Sequence, residues 1–155
     1  MSKKSLNLAH ILLVEDNEGD ILLTLEAIEE SKMKTKVSVA RNGQEALDFL
    51  NQRGEFAKAE RPDIILLDIN IPFFNGLEVL EEIKQDENLK KIPVIMLTTS
   101  SNQTDIDKAY KNHCNSYIKK PLEIEDFMKA ILQIVEYWLQ LSKLSIGKEL
   151  INNIV

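Results

Sequence analysis

The sequence predicts an α/β protein built on a doubly wound, five-stranded parallel sheet, with helices on both faces in three layers. Two observations lead to this prediction. Short aliphatic runs bounded by turn residues recur along the chain, which is typical of strands buried on both faces of a parallel sheet. Each run is followed by a segment with helical spacing of apolar residues. The runs are 11–14, 64–67, 94–97 and the weaker 117–119.

The first half of the chain supplies two strands and two helices. After the run 11–14, residues 17–31 form a predicted helix. Its apolar stripe consists of Ile21, Leu22, Leu25 and Ile28. Residues 36–40 alternate between polar and apolar side chains, which indicates a strand nearer the sheet edge. Asn42, with Glu45 three residues later, then has the pattern of a helix N-cap.

The second half repeats the alternation. The third strand is followed by another such cap, Asn75 with Glu78. The fourth strand precedes a shorter helix that opens at Thr104, and the last helix starts near Leu122 and runs to about Leu141. No repeat, low-complexity tract or glycine-serine linker interrupts these units, so we predict one domain.

Composition narrows the function classes. The chain has 155 residues, of which 44% are apolar and 28% charged, as in a globular protein with one core. We place the domain at residues 9–141, between a short N-terminal segment, 1–8, and a tail, 142–155. The net charge of −6 gives no basis for nonspecific nucleic-acid binding, and Cys114 has no cysteine partner. No apolar run approaches a membrane span or a signal peptide, so we expect a cytoplasmic protein with no membrane contact.

The candidate chemistry lies at the strand ends. Glu15 and Asp16 follow the first strand and Asp68 follows the third, so three carboxylates would meet at one sheet edge. Such carboxylates repel one another, and Mg²⁺ would relieve that conflict through oxygen ligands and retained waters. Asp68 could then attack phosphorus as a carboxylate nucleophile. Lys120 would neutralise charge on the phosphoryl oxygens, and the Thr98 hydroxyl would donate a hydrogen bond to them.

Taken together, these residues resemble the receiver domain of two-component response regulators over roughly residues 9–140. The resemblance rests on Glu15-Asp16, Asp68 with Pro72 and Gly76 after it, Thr98-Thr99-Ser100 and Lys120-Pro121. Finer details are similar to single-domain receivers that partner phytochrome-type sensor kinases, namely Val14-Glu15-Asp16-Asn17, Leu97-Thr98-Thr99-Ser100 and Asn115-Ser116-Tyr117-Ile118. The family implies a (βα)5 flavodoxin-like receiver fold.

The resemblance also implies a role for each matching position. Asp68 would accept a phosphoryl group from a sensor histidine kinase, making the chain a signalling protein that catalyses only its own phosphotransfer and slow dephosphorylation. The implied Mg²⁺ ligands are Glu15, Asp16, Asp68 and the backbone carbonyl of Asn70. Thr98 and Lys120 would be the switch hydroxyl and the phosphate-contacting lysine, and Tyr117 the aromatic switch that turns inward when Thr98 moves. The family further suggests a cis peptide before Pro121.

Other functions stay open at this point. A small Mg²⁺-dependent aspartyl-phosphate phosphatase would want a second aspartate at position 70, where the chain has Asn70, so rapid turnover is disfavoured. A flavin carrier would need a first loop that presents hydroxyls and backbone amides to a phosphate, whereas the loop Asn17-Glu18-Gly19-Asp20 follows an acidic pair and would repel it. A phosphorylation-independent adaptor would keep the same residues unused. Phe73 and Phe74 depart from the family pattern, and they are either packed around the loop or a partner contact.

The last helix carries more apolar residues than one face can hold. Either the tail from Leu144 to Val155 folds back on it, or a second copy of the chain covers it in a homodimer, which the resemblance favours. Because the tail is too short for a DNA-binding or enzymatic output domain, we expect output through protein contacts or onward phosphotransfer.

Overall fold

A computed structural model describes residues 8–142 and 144 of the chain. Five parallel strands form one sheet in the order β2-β1-β3-β4-β5, which confirms the predicted doubly wound topology. The strands are β1 Ala9–Val14, β2 Thr35–Ala40, β3 Ile64–Leu67, β4 Val94–Thr98 and β5 Ser116–Lys119. β2 lies at one edge of this sheet, as its alternating pattern predicted, and β3 lies in the middle.

Helices follow the strands as predicted. They are α1 Glu18–Glu29, α2 Gly43–Leu50, α3 Gly76–Gln85, α4 Gln103–Lys111 and α5 Ile124–Val135. The first four begin after an asparagine whose side chain accepts a backbone N–H of the first turn, at Asn17, Asn42, Asn75 and Asn102. The predicted caps Asn42 and Asn75 are thereby confirmed, whereas α4 starts after Asn102 rather than at Thr104.

Two cores sandwich the sheet, because successive side chains of a strand point to opposite faces. Ile11 and Leu13 of β1 belong to the core shared with α1 and α5. Leu12 and Val14 belong to the core shared with α2, α3 and α4. All of β1 is buried, which explains why this central strand reads as a continuous apolar run rather than an alternating one.

Several sequence predictions need correction. Leu22, which the predicted stripe of α1 includes, is exposed, and Thr24 and Ala27 are buried instead. A short 3-10 helix, Gly54–Phe56, was not predicted. The last helix begins two residues later than Leu122, at Ile124, and its final part, Glu136–Leu141, is π-helical.

The cis peptide expected before Pro121 is also wrong, since no peptide bond among the described residues is cis. Lys120 still points into the sheet edge, because its backbone N–H donates to the Thr98 carbonyl at 2.7 Å and its side chain is held by carboxylates.

The tail lies mostly beyond the described part of the chain, so its predicted packing against the last helix is outside the described residues. Leu144, which is described, is partly buried against the core formed with α1 and α5. None of the helices in the described ranges is both long enough and apolar enough to cross a membrane.

Candidate functional site

The register of the sheet brings the predicted site residues to one edge. Val14 pairs with Leu67, so the next residues, Glu15 and Asp68, emerge side by side from the ends of β1 and β3. On the other side of β3, the last residue of β4, Thr98, pairs with Lys119, and Lys120 follows directly. Parallel strands therefore place the predicted carboxylate, hydroxyl and ammonium groups together, where ligands bind in open α/β sheets.

Lys120 is the centre of this site. Its side chain is only 5% exposed. The ammonium group donates to Glu15 Oε1 at 2.6 Å, to Asp20 Oδ2 at 2.8 Å and to Asp68 Oδ2 at 3.1 Å. An ammonium group has three N–H donors, so each one faces a carboxylate. We call Lys120, Glu15, Asp20 and Asp68 the lysine-centred cluster.

The cluster carries an excess of negative charge. Burial is the main reason that the pKa of Glu15 is raised to about 7, and the Asp68 charge adds to this while Lys120 opposes it. Burial alone would lower the pKa of Lys120, but its hydrogen bonds to Asp20 and Glu15 and the nearby Asp68 charge raise it above its ordinary value. The lysine therefore stays charged, and one cation faces three acidic groups.

A divalent cation fits this donor set. Asp16, the residue after Glu15, is exposed, and the backbone of Asn70 lies beside Asp68, since the Asn70 N–H is 3.4 Å from Asp68 Oδ1. Within residues 8–142 and 144, no three His, Cys, Asp or Glu side chains stand arranged as a finished metal site. Mg²⁺ needs no such cage, because it binds through one or two carboxylates together with waters and phosphate oxygens.

The predicted switch residues are Thr98, at the end of β4, and Tyr117, on β5. Thr98 is fully buried, and its hydroxyl oxygen is 3.4 Å from the Ser100 N–H. The half-buried Tyr117 donates its hydroxyl to the Ser100 carbonyl at 2.9 Å. Tyr117 is therefore tied to the loop that follows Thr98.

Sequence reasoning missed Asp20, which binds the same ammonium group as Glu15 and Asp68. A usable signal was present, since Asp20 lies in the first turn of α1 and that turn starts at the sheet edge where Glu15 emerges.

Phe73 and Phe74 are both exposed, so Phe73 in particular, at 79% exposure, does not pack under the loop. Its backbone has a φ of 65°, a left-handed conformation that is uncommon for an aromatic residue.

The next helix begins against the site loop at Gly76, where a Cβ would overlap the backbone carbonyl of Asp68.

Comparison with known proteins identifies the class to which this fold and site belong. The response regulator receiver domain family matches residues 11–132, which is most of the chain. The chain therefore belongs to the receiver-domain family of two-component response regulators, as the resemblance implied.

Individual members of the family show which response regulators the chain is similar to. The chain is 42% identical over 130 residues to the response regulator Rcp1 of Synechocystis sp., covering 84% of this chain and 88% of the relative. It is 43% identical over 129 residues to the probable methanogenesis regulatory protein FilR2 of Methanothrix harundinacea, covering 83% of each protein.

Solved structures agree with this placement. The phosphorylated cyanobacterial phytochrome response regulator RcpA is 45% identical and superimposes with a TM-score of 0.88, covering 90% of this chain and 99% of that one. The Mn²⁺-bound form of Rcp1 is 41% identical with a TM-score of 0.85, covering 88% of this chain and 98% of that one. The single-domain phytochrome regulators predicted from the sequence are thus among its relatives.

Proposed function

We propose that Asp68 accepts a phosphoryl group from the phosphohistidine of a sensor kinase. The observation that carries this proposal is the 3.1 Å hydrogen bond from the buried Lys120 ammonium to Asp68, at the carboxyl edge of the sheet. An Asp68 oxygen forms the new O–P bond while the P–N bond to the kinase imidazole breaks, and the leaving nitrogen keeps the bonding electron pair. The similarity to phytochrome response regulators supports a phytochrome-type kinase as the donor.

The side chains at the site match the demands of this transfer, which are positioning and charge neutralisation. Lys120 supplies a fixed positive charge beside the nucleophile, and its raised pKa keeps it charged at neutral pH. Asp68 is 6% exposed, so only a narrow approach to its carboxylate remains. The chain then catalyses its own phosphorylation, because the acceptor Asp68 and the neutralising Lys120 belong to the same site.

We propose Mg²⁺ as the cation, held by Asp16, Asp68 and the Asn70 carbonyl, with Glu15 binding directly or through water. When bound, the ion supplies positive charge for the phosphoryl oxygens. The excess of carboxylates around Lys120 supports a cation at this edge, and the Mn²⁺-bound form of the relative Rcp1 supports a divalent one. A cytoplasmic location stays part of the proposal.

Signalling would follow from movement of Thr98 towards the phosphoryl group. Loss of the present contact between Thr98 and the Ser100 N–H would shift the loop that Tyr117 holds, and Tyr117 would turn inward. Phosphorylation then needs only to favour one of two pre-existing states of this loop and of the α4-β5-α5 surface.

The phosphatase alternative gains no support from the site. Asn70 is exposed and its side chain is an amide, so it cannot act as a general acid or base. The aspartyl phosphate would therefore persist long enough to be a signal.

Intact mass spectrometry tests the proposal. After incubation with Mg²⁺ and acetyl phosphate or phosphoramidate, we expect the mass of one phosphoryl group to be added. Asp68→Asn and treatment with EDTA should each abolish the addition, whereas Asp107→Asn, an exposed aspartate on α4, should leave it intact. Phosphate released over many turnovers would support the phosphatase, and no adduct with either donor or with a kinase would support the adaptor.

We further propose a homodimer through the C-terminal helix. Several apolar or aromatic side chains remain exposed along α5 and the π-helical segment, at Ile124, Tyr137 and Leu141. A second copy offers the same surface across a twofold axis, and burying these side chains in both copies favours association.

Light scattering coupled to size exclusion tests this second proposal. We expect a mass of two chains for the wild type and of one chain for Tyr137→Lys. Leu22→Lys changes an equally exposed apolar residue on α1 and should remain a dimer. A monomeric wild type, with and without phosphodonor, would contradict the dimer.

A further inference from the structure

Asp20 occupies a position in α1 that normally serves helix capping. In a capping box, the acidic residue three positions after the N-cap accepts the backbone N–H of the cap residue. This happens in α3, where the Asn75 N–H donates to Glu78 Oε1 at 2.9 Å. In α1 the corresponding acid is Asp20, whose own N–H donates to Asn17 Oδ1 at 2.9 Å.

The carboxylate of Asp20 has a different partner. The Asn17 N–H donates to Glu15 Oε2 at 3.1 Å, and Asp20 Oδ2 accepts from the Lys120 ammonium at 2.8 Å. Local helix geometry therefore does not explain the side chain of Asp20. Its partner lies 100 residues further along the chain.

This arrangement affects Glu15, because both of its oxygens are in use. Oε1 accepts from Lys120 at 2.6 Å, and Oε2 accepts from the Asn17 N–H. Direct binding of a cation at Oε1 is favoured when Lys120 withdraws from that oxygen, because the ammonium and the cation repel each other at this distance. The ammonium needs another anionic partner at that moment, because an unpaired buried charge is costly.

We infer that Asp20 is a positioning residue for Lys120. Asp20 holds the ammonium on the α1 side of the site, and this leaves Glu15 and Asp68 available to Mg²⁺ and the phosphoryl group. This inference rests on the proposed function. Asp20 is suited to the role because its side chain is 30% exposed and keeps contact with water, whereas the side chains of Glu15 and Asp68 are 4% and 8% exposed. With one N–H on Asp20, two remain for oxygens at Asp68.

Mg²⁺ affinity, measured by isothermal titration calorimetry, provides the first test. Asp20→Asn keeps the shape and one acceptor but removes the charge, so Lys120 stays on Glu15 and Asp68. We expect the dissociation constant for Mg²⁺ to rise roughly threefold to tenfold, the size of one partly exposed charge-assisted hydrogen bond. Glu26→Gln removes the same charge from an exposed site on α1 and should change it less than twofold.

A double-mutant cycle separates positioning from a simple charge effect. If Asp20 acts through Lys120, Asp20→Asn should have little further effect on Mg²⁺ affinity in a Lys120→Met background. An equal loss in both backgrounds would overturn the inference, because Asp20 would then act on the ion directly. The inference would also be overturned if Asp20→Asn changed the dissociation constant for Mg²⁺ by no more than Glu26→Gln does.

A time course of phosphorylation at saturating Mg²⁺ keeps the test decisive if Lys120→Met does not fold. We expect Asp20→Asn to slow the appearance of phosphorylated protein roughly threefold to tenfold, and Asp20→Glu to restore part of the rate. A rate equal to that of the wild type would overturn the inference while leaving the proposed function intact. A wild type that binds Mg²⁺ but is never phosphorylated would instead refute the proposed function. The double-mutant cycle on Mg²⁺ affinity would still test whether Asp20 acts through Lys120.

Discussion

Lys120 shows how much one residue can depend on contacts that are distant in sequence. The lysine is an unremarkable residue at the end of a short strand, yet the fold surrounds its ammonium with acidic groups from α1, β1 and β3. It offsets charges that would otherwise repel at close range. Its structural role is therefore to hold these acidic groups close together.

Lys120→Met should destabilise the protein, because it leaves buried acidic groups without their counterion. We expect the free energy of unfolding at pH 7 to fall by about 3 kcal/mol in urea titrations without metal. Lys119→Met changes the neighbouring exposed lysine and should stay within about 0.5 kcal/mol of the wild type. Equal stability of the two variants would contradict the lysine-centred cluster.

His10 lies at the start of β1, at the end of the strand opposite the site. It is buried, and its Nε2 is 2.9 Å from Ser38 Oγ. Burial is the main reason that the pKa of His10 is lowered, and Lys36 adds to this while Asp63 and Glu60 oppose it.

This lowered pKa predicts a loss of stability in acid. A histidine with a folded pKa below its unfolded value of 6.5 binds more protons when unfolded, so stability is retained above that pH and falls as the pH drops below it. We expect the free energy of unfolding of the wild type to fall relative to that of His10→Leu as the pH is lowered from about 7.5 to about 5. His113→Gln alters the other histidine, which is exposed, and should follow the wild type. A pH-independent difference for His10→Leu would contradict this prediction.

At the scale of elements, the start of α3 is joined to the strand end that carries Asp68. The Gly76 N–H donates to the Ile69 carbonyl at 2.8 Å, and the glycine lies against the Asp68 backbone. The Asn75–Glu78 capping box fixes where the helix begins. The position of Asp68 is therefore linked to the packing of this helix.

Gly76→Ala should displace the loop after β3. Because its Cβ would overlap the Asp68 carbonyl, we expect a loss of about 2 kcal/mol in unfolding free energy, with slower phosphorylation. Gly19→Ala is the matched control in the first turn of α1, where the Cβ would be 3.3 Å from Asn17 Oδ1. Alanine favours helix there, so its stability should change by less than about 1 kcal/mol. A neutral Gly76→Ala would show that the loop relaxes without cost.

Elements were more predictable than their edges. The strands β1, β3 and β4 were evident from continuous apolar runs, and Asn42 and Asn75 marked helix starts through local hydrogen bonding. Leu22 was wrongly predicted to be buried because it lies next to the buried stripe of α1. Only the angle at which the helix meets the sheet decides which residues beside the stripe are buried. The π-helical end of the chain's last helix has no simple sequence signal.

At the scale of the whole molecule, a cation that binds only the folded site stabilises the entire domain. Unfolding of the protein must release the ion, so stability rises with its concentration. This linkage makes the global unfolding transition a measure of occupancy at the sheet edge.

Mg²⁺ at about 100 times its dissociation constant should raise the free energy of unfolding by about 2.7 kcal/mol. Asp16→Asn should move this response to higher Mg²⁺ concentration, because Asp16 is a proposed ligand that Lys120 does not occupy. Asp107→Asn, on the exposed side of α4, should respond like the wild type in thermal melts. The ligand role of Asp16 fails if its variant responds as the wild type does.

The sequence alone determined the fold class, the order of the elements and the identity of Glu15, Asp68, Thr98 and Lys120 as strand-end residues. Those features follow from local patterns, namely apolar runs, helix caps and the polar residue after each strand. Only the tertiary structure decided which groups share the Lys120 ammonium, and it added Asp20. Hydrogen bonds between residues 100 or more positions apart, such as those of Lys120 with Glu15 and Asp20, depend on strand register and helix placement, which no local pattern encodes.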